Sequence, residues 1–152
     1  MSGTSSENIH GTALVIGEKG LLIRGPAGSG KSSLCLSLLR RAPGQGLSAR
    51  LVADDRVDLS LIGDHVHMKA PARLQGLIEV AGFGIVRETV ASSAILALVI
   101  DLEEQSAILR MPEPGDRQTR IANQTIARIA LPAREASFCA DILLTLLAGG
   151  HV

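Results

Sequence analysis

The sequence has no Trp, no Tyr and only two Phe, Phe83 and Phe138. A core without rings must be assembled from Leu, Ile, Val and Ala, and no aromatic platform exists for stacking single-stranded bases. An excess of one charge is missing too. The 15 basic and 15 acidic residues cancel, so nothing in the balance suits a duplex backbone, and we expect no nucleic-acid partner. Cysteine is scarce. Cys35 and Cys139 make neither a CxxC pair nor a metal-ligand spacing. Each lies in an apolar, helix-like stretch and reads as a buried thiol of a reducing cytoplasm. Long hydrophobic runs are absent. The longest, residues 94–100, falls far short of the ~20 residues of a membrane span. Residues 1–7 are polar and hold no signal-peptide block. We therefore expect no membrane association and a cytoplasmic location.

What is present suits one globular domain. The chain has 152 residues, 46% hydrophobic and 20% charged, enough to bury a single sizeable core. Residues 1–8 are expected to form a flexible N-terminal tail and residues 9–152 one domain. Apolar runs at 12–16 and 21–24, separated by Gly17-Glu18-Lys19-Gly20, predict two strands and a hairpin turn. Residues 33–41 have the density of a buried helix that stops at Pro43-Gly44. Strands are predicted at 51–53, 57–62, 65–68, 77–80 and 95–101, and a second helix at 136–147 ends at Gly149-Gly150. Residues 103–120 are charged, contain Pro112, Pro114 and Gly115, and read partly as an exposed loop. Strands outnumber helices, which argues for a mixed sheet with few helices.

Gly25-Pro26-Ala27-Gly28-Ser29-Gly30-Lys31-Ser32 matches a phosphate-binding loop in full, with a strand before it and a helix after it. Each part has a physical reason. The glycines let successive backbone N–H groups curl toward one anion. The helix start, with Ser33 following, adds partial positive charge. Lys31 reaches β- and γ-phosphate oxygens, and the Ser32 hydroxyl can ligate Mg²⁺, which keeps most of its water. ATP is the expected ligand. The loop alone does not select a reaction.

Phosphoryl transfer also needs carboxylates. Asp54-Asp55 closes a short buried strand, where ligands collect in α/β sheets. Successive residues face opposite ways, so the two carboxylates can differ in role. The plain alternative is a polar turn. Glu79 interrupts an apolar strand and is either a metal or cation partner or a solvent-facing position. His10 precedes the first expected strand. His65 and His67 share a strand face but lack a third ligand.

Taken in order, these segments resemble the catalytic domain of the HPr serine kinase/phosphorylase family. His10-Gly11 opens the resemblance and the phosphate loop continues it. Leu51-Val52-Ala53-Asp54-Asp55-Arg56-Val57 matches a distinctive family segment. Leu77-Ile78-Glu79-Val80-Ala81-Gly82-Phe83-Gly84-Ile85 resembles the family signature, and Asp116-Arg117 falls where the family carries a catalytic arginine. The similarity covers roughly residues 10–147 and is strongest up to Ile85. It implies a P-loop mixed sheet with few helices, of the phosphoenolpyruvate carboxykinase-like/HPr kinase catalytic-domain type. It further implies an ATP- and Mg²⁺-dependent protein serine kinase acting on HPr, the phosphocarrier of the sugar phosphotransferase system. Family members also reverse the reaction, with phosphate yielding pyrophosphate, and assemble as homohexamers. Carried over, Lys31 clamps phosphates, and Ser32, Asp55 and Glu79 are the expected Mg²⁺ residues. The Asp54-Asp55 pair supplies the base, Asp55 being favoured, with His10 beside it. Arg117 stabilises the transferring phosphoryl group.

The departures are specific. Family members often carry an N-terminal domain, and a short form without it is expected here. Ala81 stands where the signature has arginine. A later family segment survives only as Leu131-Pro132-Ala133-Arg134-Glu135-Ala136, which bears on the reverse reaction more than on the kinase. Residues 42–50 look like an insertion. Two alternatives stay open: a P-loop kinase of another substrate, and a nucleotide-sensing module with weakened catalysis.

Overall fold

The computed structural model describes residues 6–152. Strand β1 (Ser6–His10) precedes the hairpin of β2 (Thr12–Ile16) and β3 (Lys19–Arg24). Helix α1 (Lys31–Arg41) follows the glycine-rich loop, and β4 (Ala49–Ala53), β5 (Arg56–Ile62) and β6 (His65–Lys69) come next. A hairpin of β7 (Leu77–Val80) and β8 (Gly84–Arg87) leads to the long β9 (Ala94–Glu103). The chain closes with β10 (Gln118–Ile121), β11 (Gln124–Pro132) and α2 (Ala136–Ala148).

The main sheet runs β1-β5-β6-β9-β3-β2-β4, with β11 also on β9 and β10 on β11. β7 and β8 form a separate two-stranded sheet. β9 is the junction. It meets β6 at Ala94 and Ile95, β11 from Leu98 to Glu103, and β3 along the other side. The expected mixed sheet with few helices is therefore the fold observed.

Every residue of β2 is buried, because both faces of this sheet are covered. Leu14, Ile16, Leu21 and Ile23 face α1 and α2, in a core with Leu34, Leu38, Leu143 and Leu144. Ala13, Val15 and Leu22 point the opposite way, into a second core with Val57, Leu59, Val66 and Met68. An irregularity in β9 adjusts this alternation. Gly20 and Leu21 are consecutive but pair with Leu96 and Leu98, leaving Ala97 as an extra residue. Leu96 consequently faces the second core and Leu98 the first.

Both cysteines are buried, as expected. Burial, then the charges of Asp54 and Glu88, push the Cys35 thiol far above its ordinary range. Burial, then Glu135, pushes Cys139 up to about 11. Neither thiol is a nucleophile at neutral pH.

Several expectations change. Part of the tail expected over residues 1–8 lies outside the described residues, but Ser6 to Asn8 belong to β1 and pair with β5. Main-chain pairing to Ser60, Leu59 and Asp58 supplies the order that this polar stretch does not announce. Helix α1 starts at Lys31, two residues before the expected start. β8, β10 and β11 were not anticipated. Within residues 42–50, Ala42–Gln45 forms a short 3-10 turn before the chain enters β4.

Candidate active site

Strands β3, β9 and β11 run parallel. β4 shares their direction, since two antiparallel steps through β2 separate it from β3. Their carboxyl ends thus lie along one edge, where open α/β sheets gather ligands. The phosphate loop leaves β3 there, Asp54-Asp55 leaves β4 there, and β2 begins there at Thr12. A cleft of about 640 Å³ opens on this edge. His10, Lys31, Ser32, Asp54, Asp55 and Glu79 all line it, together with most of the phosphate loop.

The loop has the shape that the sequence requires. Gly28 and Gly30 adopt φ of 79° and 93°, a region that side chains disfavour. Gly25 is required by space: a Cβ there would sit 3.1 Å from Leu102 Cβ and 3.2 Å from Ser29 Cβ. Pro26 and Ala27 complete the wall. Gly30 caps α1 without a side-chain hydrogen bond, and the first turn contains no carboxylate. The leading N–H groups of α1, at Lys31, Ser32 and Ser33, are therefore not claimed by a cap and suit an anion. Lys31 Nζ donates to the carbonyls of Gly25 at 2.9 Å and Pro26 at 3.2 Å. Ser29 is turned inward and fully buried, and its hydroxyl finds no partner. Its backbone carbonyl accepts from the Arg134 N–H at 2.9 Å, so the turn after β11 braces the loop.

The adjacent carboxylates diverge. Asp54 is 5% exposed. Its Oδ1 accepts from Ser32 Oγ at 2.6 Å and Thr12 Oγ1 at 2.9 Å, and its Oδ2 accepts from the Glu79 N–H at 3.0 Å. The Asp55 side chain is 73% exposed, with Oδ1 3.8 Å from His10 Nδ1. Asp55 takes φ 71°, a left-handed conformation that Asp tolerates better than most residues. Its carbonyl accepts from the Gly11 N–H at 3.1 Å, which sets the Asp55 backbone beside His10. Glu79 is exposed and lines the cleft, while neighbouring Ile78 is fully buried, as strand alternation requires.

Arg117 is not brought to this cleft. It lines a second, smaller one with Pro114 and Gln118. The turn Pro114–Arg117 is locked by reciprocal bonds between Glu113 and Asp116, and Arg128 Nη1 donates to the Asp116 carbonyl at 3.0 Å. These contacts anchor Arg117 to β11 rather than to the phosphate loop. Arg120 bonds to Asn123 and Thr125 within its own hairpin. The Arg134 side chain pairs with exposed Glu104.

Sequence reasoning missed Asp101, at the carboxyl end of β9. It accepts from Arg24 at 2.7 and 2.8 Å and from Arg128 at 2.5 Å, and Arg128 also reaches Glu103 at 2.8 Å. The register pairing of Asp101 with Arg24 fixes the residue that enters the phosphate loop. Burial would raise the Asp101 carboxyl, but hydrogen bonds and charge from the two arginines outweigh it and hold it below the usual carboxylate range. A depressed folded pKa stabilises above the unfolded value of about 3.9, and that stability is lost as pH falls through the folded pKa. Asp101→Asn is expected to destabilise by roughly 1–3 kcal/mol at pH 7. Denaturant unfolding should show the gap to wild type narrowing below about pH 4. A gap unchanged in acid would rule out the ion pairs as its cause.

The donors facing the cleft are hydroxyl and carboxylate oxygens, the chemistry Mg²⁺ prefers. Among the described residues no group of three or more His, Cys, Asp or Glu converges to hold a metal unaided.

The family model for the HPr Serine kinase C-terminal domain matches residues 3–148. Proteins named HPr kinase/phosphorylase from Burkholderia cenocepacia (strain HI2424) and Paraburkholderia phymatum are each 33% identical over 126 residues. Each alignment covers 82% of this chain and 37% of the relative, so the chain spans little more than a third of those proteins. The solved structure of the Hpr(Ser) kinase/phosphatase from Coxiella burnetii superimposes with a TM-score of 0.79 at 26% identity. That match covers 95% of this chain and 90% of the other.

Proposed function

We propose, on the premise that this chain belongs to the family of HPr serine kinase C-terminal domains, that it is an ATP- and Mg²⁺-dependent kinase phosphorylating a serine of HPr. The observation carrying this reading is one cleft that holds an uncapped phosphate loop, a buried carboxylate bonded to Ser32 and an exposed carboxylate beside His10. The relatives' printed names carry HPr and both directions of the reaction.

Bound ATP·Mg²⁺ supplies the transferable phosphoryl group and the charge neutralisation that phosphoryl transfer needs. The loop N–H groups hold the phosphates, and Lys31 exchanges its two carbonyl partners for phosphate oxygens. Asp54 accepts from three donors, one of them the Ser32 hydroxyl, so its part is to orient that hydroxyl. Asp55, on the open side, receives the proton of the attacking seryl hydroxyl, and His10 keeps that carboxylate in place. Glu79 faces the metal side of the cleft. The reaction runs in the cytoplasm, in the homohexamer implied by the resemblance, a state that light scattering reads directly.

A second reading has its own observation. Ala81 lines the cleft and offers only a methyl group where the family signature has a cation, and Arg117 lines another cleft. A nucleotide sensor with weak transfer would fit. Incubation with HPr and γ-labelled ATP separates the two. Label on an HPr serine is expected, and subsequent phosphate should release pyrophosphate if the reverse reaction is retained. Nucleotide binding without label on HPr would favour the sensor, and label on a small metabolite would point to another substrate.

A further inference from the structure

Thr12 is the one polar residue of β2, and it is completely buried. Valine has nearly its shape, favours strands and needs no hydrogen bond, so packing alone does not call for threonine. What threonine adds is a donor. Oγ1 lies 2.9 Å from Asp54 Oδ1, the same oxygen that accepts from Ser32 Oγ at 2.6 Å. The Glu79 N–H holds the other carboxylate oxygen at 3.0 Å. Three elements, β2, α1 and β7, thereby clamp one side chain.

A hydroxyl has one proton and two acceptor lone pairs. Once the Ser32 proton is committed to Asp54, only lone pairs remain for the cleft, the arrangement a cation requires. If Asp54 rotated away, the Ser32 O–H would be free to point at the cation. The cost of that freedom depends on how firmly Asp54 is held, and among the described residues the bond between Thr12 and Asp54 is the only side-chain hydrogen bond it receives from the main sheet.

We propose that Thr12 is a positioning residue for Mg²⁺-dependent nucleotide binding, acting through Asp54 to orient the Ser32 hydroxyl. This rests on the reading of the cleft as an ATP·Mg²⁺ site. Partners of metal ligands typically change metal affinity 10–100-fold when removed; one of three restraints is lost here, so the lower end is expected.

The test uses the full chain and a fluorescent ATP analogue, titrated in Mg²⁺ and in EDTA. In Thr12→Val the gain in affinity that Mg²⁺ gives to wild type should fall about tenfold, while affinity in EDTA stays within about twofold. Thr12→Ser, which restores the hydroxyl, should recover most of the gain. Thr12→Ala provides the same comparison if the valine variant does not fold. A full Mg²⁺ gain in the valine or alanine variant would overturn the proposal, as would equal losses with and without Mg²⁺. Wild type binding no nucleotide in either buffer would instead overturn the kinase reading, and this role with it.

Discussion

Asp55→Asn is expected to lower the rate of phosphoryl transfer to HPr by about 10²–10⁴-fold, the usual contribution of a positioned general base. Asparagine is the informative replacement because it also tolerates the left-handed backbone that Asp55 adopts at φ 71°. It keeps the side-chain volume while replacing the charged, acceptor-only carboxylate with a neutral amide that cannot take the proton. Since the Asp55 side chain forms no hydrogen bond or ion pair with the phosphate loop among the described residues and is exposed on the cleft, nucleotide affinity should remain within about twofold. Asp54→Asn should behave differently: an amide cannot accept on both sides from Ser32, Thr12 and the Glu79 N–H, so Mg²⁺-dependent binding suffers along with rate. Single-turnover transfer and equilibrium nucleotide binding, measured on both variants, distinguish base from orienting residue. Near-normal transfer in Asp55→Asn would remove it from the chemistry.

The largest effect on folding is expected from Gly20→Ala. Gly20 adopts ordinary extended backbone, so conformational strain is not the issue; space is. An added Cβ would run into the Ile95 carbonyl oxygen, lie 2.9 Å from its carbonyl carbon and lie 2.9 Å from Met68 Cε. The methionine can move. The Ile95 carbonyl cannot move without disturbing β9, which pairs with β6 at that point and with β3 beside it. A loss of about 3 kcal/mol follows from such overpacking, or roughly 6–12 °C in melting temperature for a domain of this size. Gly44→Ala is the control: nothing lies within 4 Å of its Cβ position and its φ is not positive, so it should shift stability by less than about 0.5 kcal/mol. Equal melting of Gly20→Ala and wild type would mean β3 and β9 are not this close.

The contrast between what could and could not be read from the sequence has a physical basis. Strands β2, β3 and β9 are dense in apolar residues because both faces are buried, and a one-dimensional pattern records that directly. The phosphate loop is legible because its function is carried by consecutive residues. β11 was missed because its burial pattern is mixed and its Arg128 looks like a surface charge; only pairing with β9 turns Arg128 into a structural group beside Asp101. Thr12 and Asp54 are separated by 42 residues, and Arg24 and Asp101 by 77. Spacing has no way of announcing bonds that exist only after the sheet closes. Arg117 shows the converse: a local resemblance placed it at the chemistry, and the contacts of its turn with β11 anchor it elsewhere.

The junction strand β9 also constrains the order of events during synthesis. β3 leads into the phosphate loop early in the chain, but its parallel neighbour β9 begins only at Ala94, and the brace at Arg134 follows still later. A nascent chain that has emerged only as far as α1 lacks both the strand that pins Arg24 and the turn that supports Ser29. Local segments can form helix or hairpin on their own, but long-range parallel pairing is slow. The supported form of the loop is therefore completed only after β9 and the turn at Arg134 have been made, and not when the motif itself leaves the ribosome.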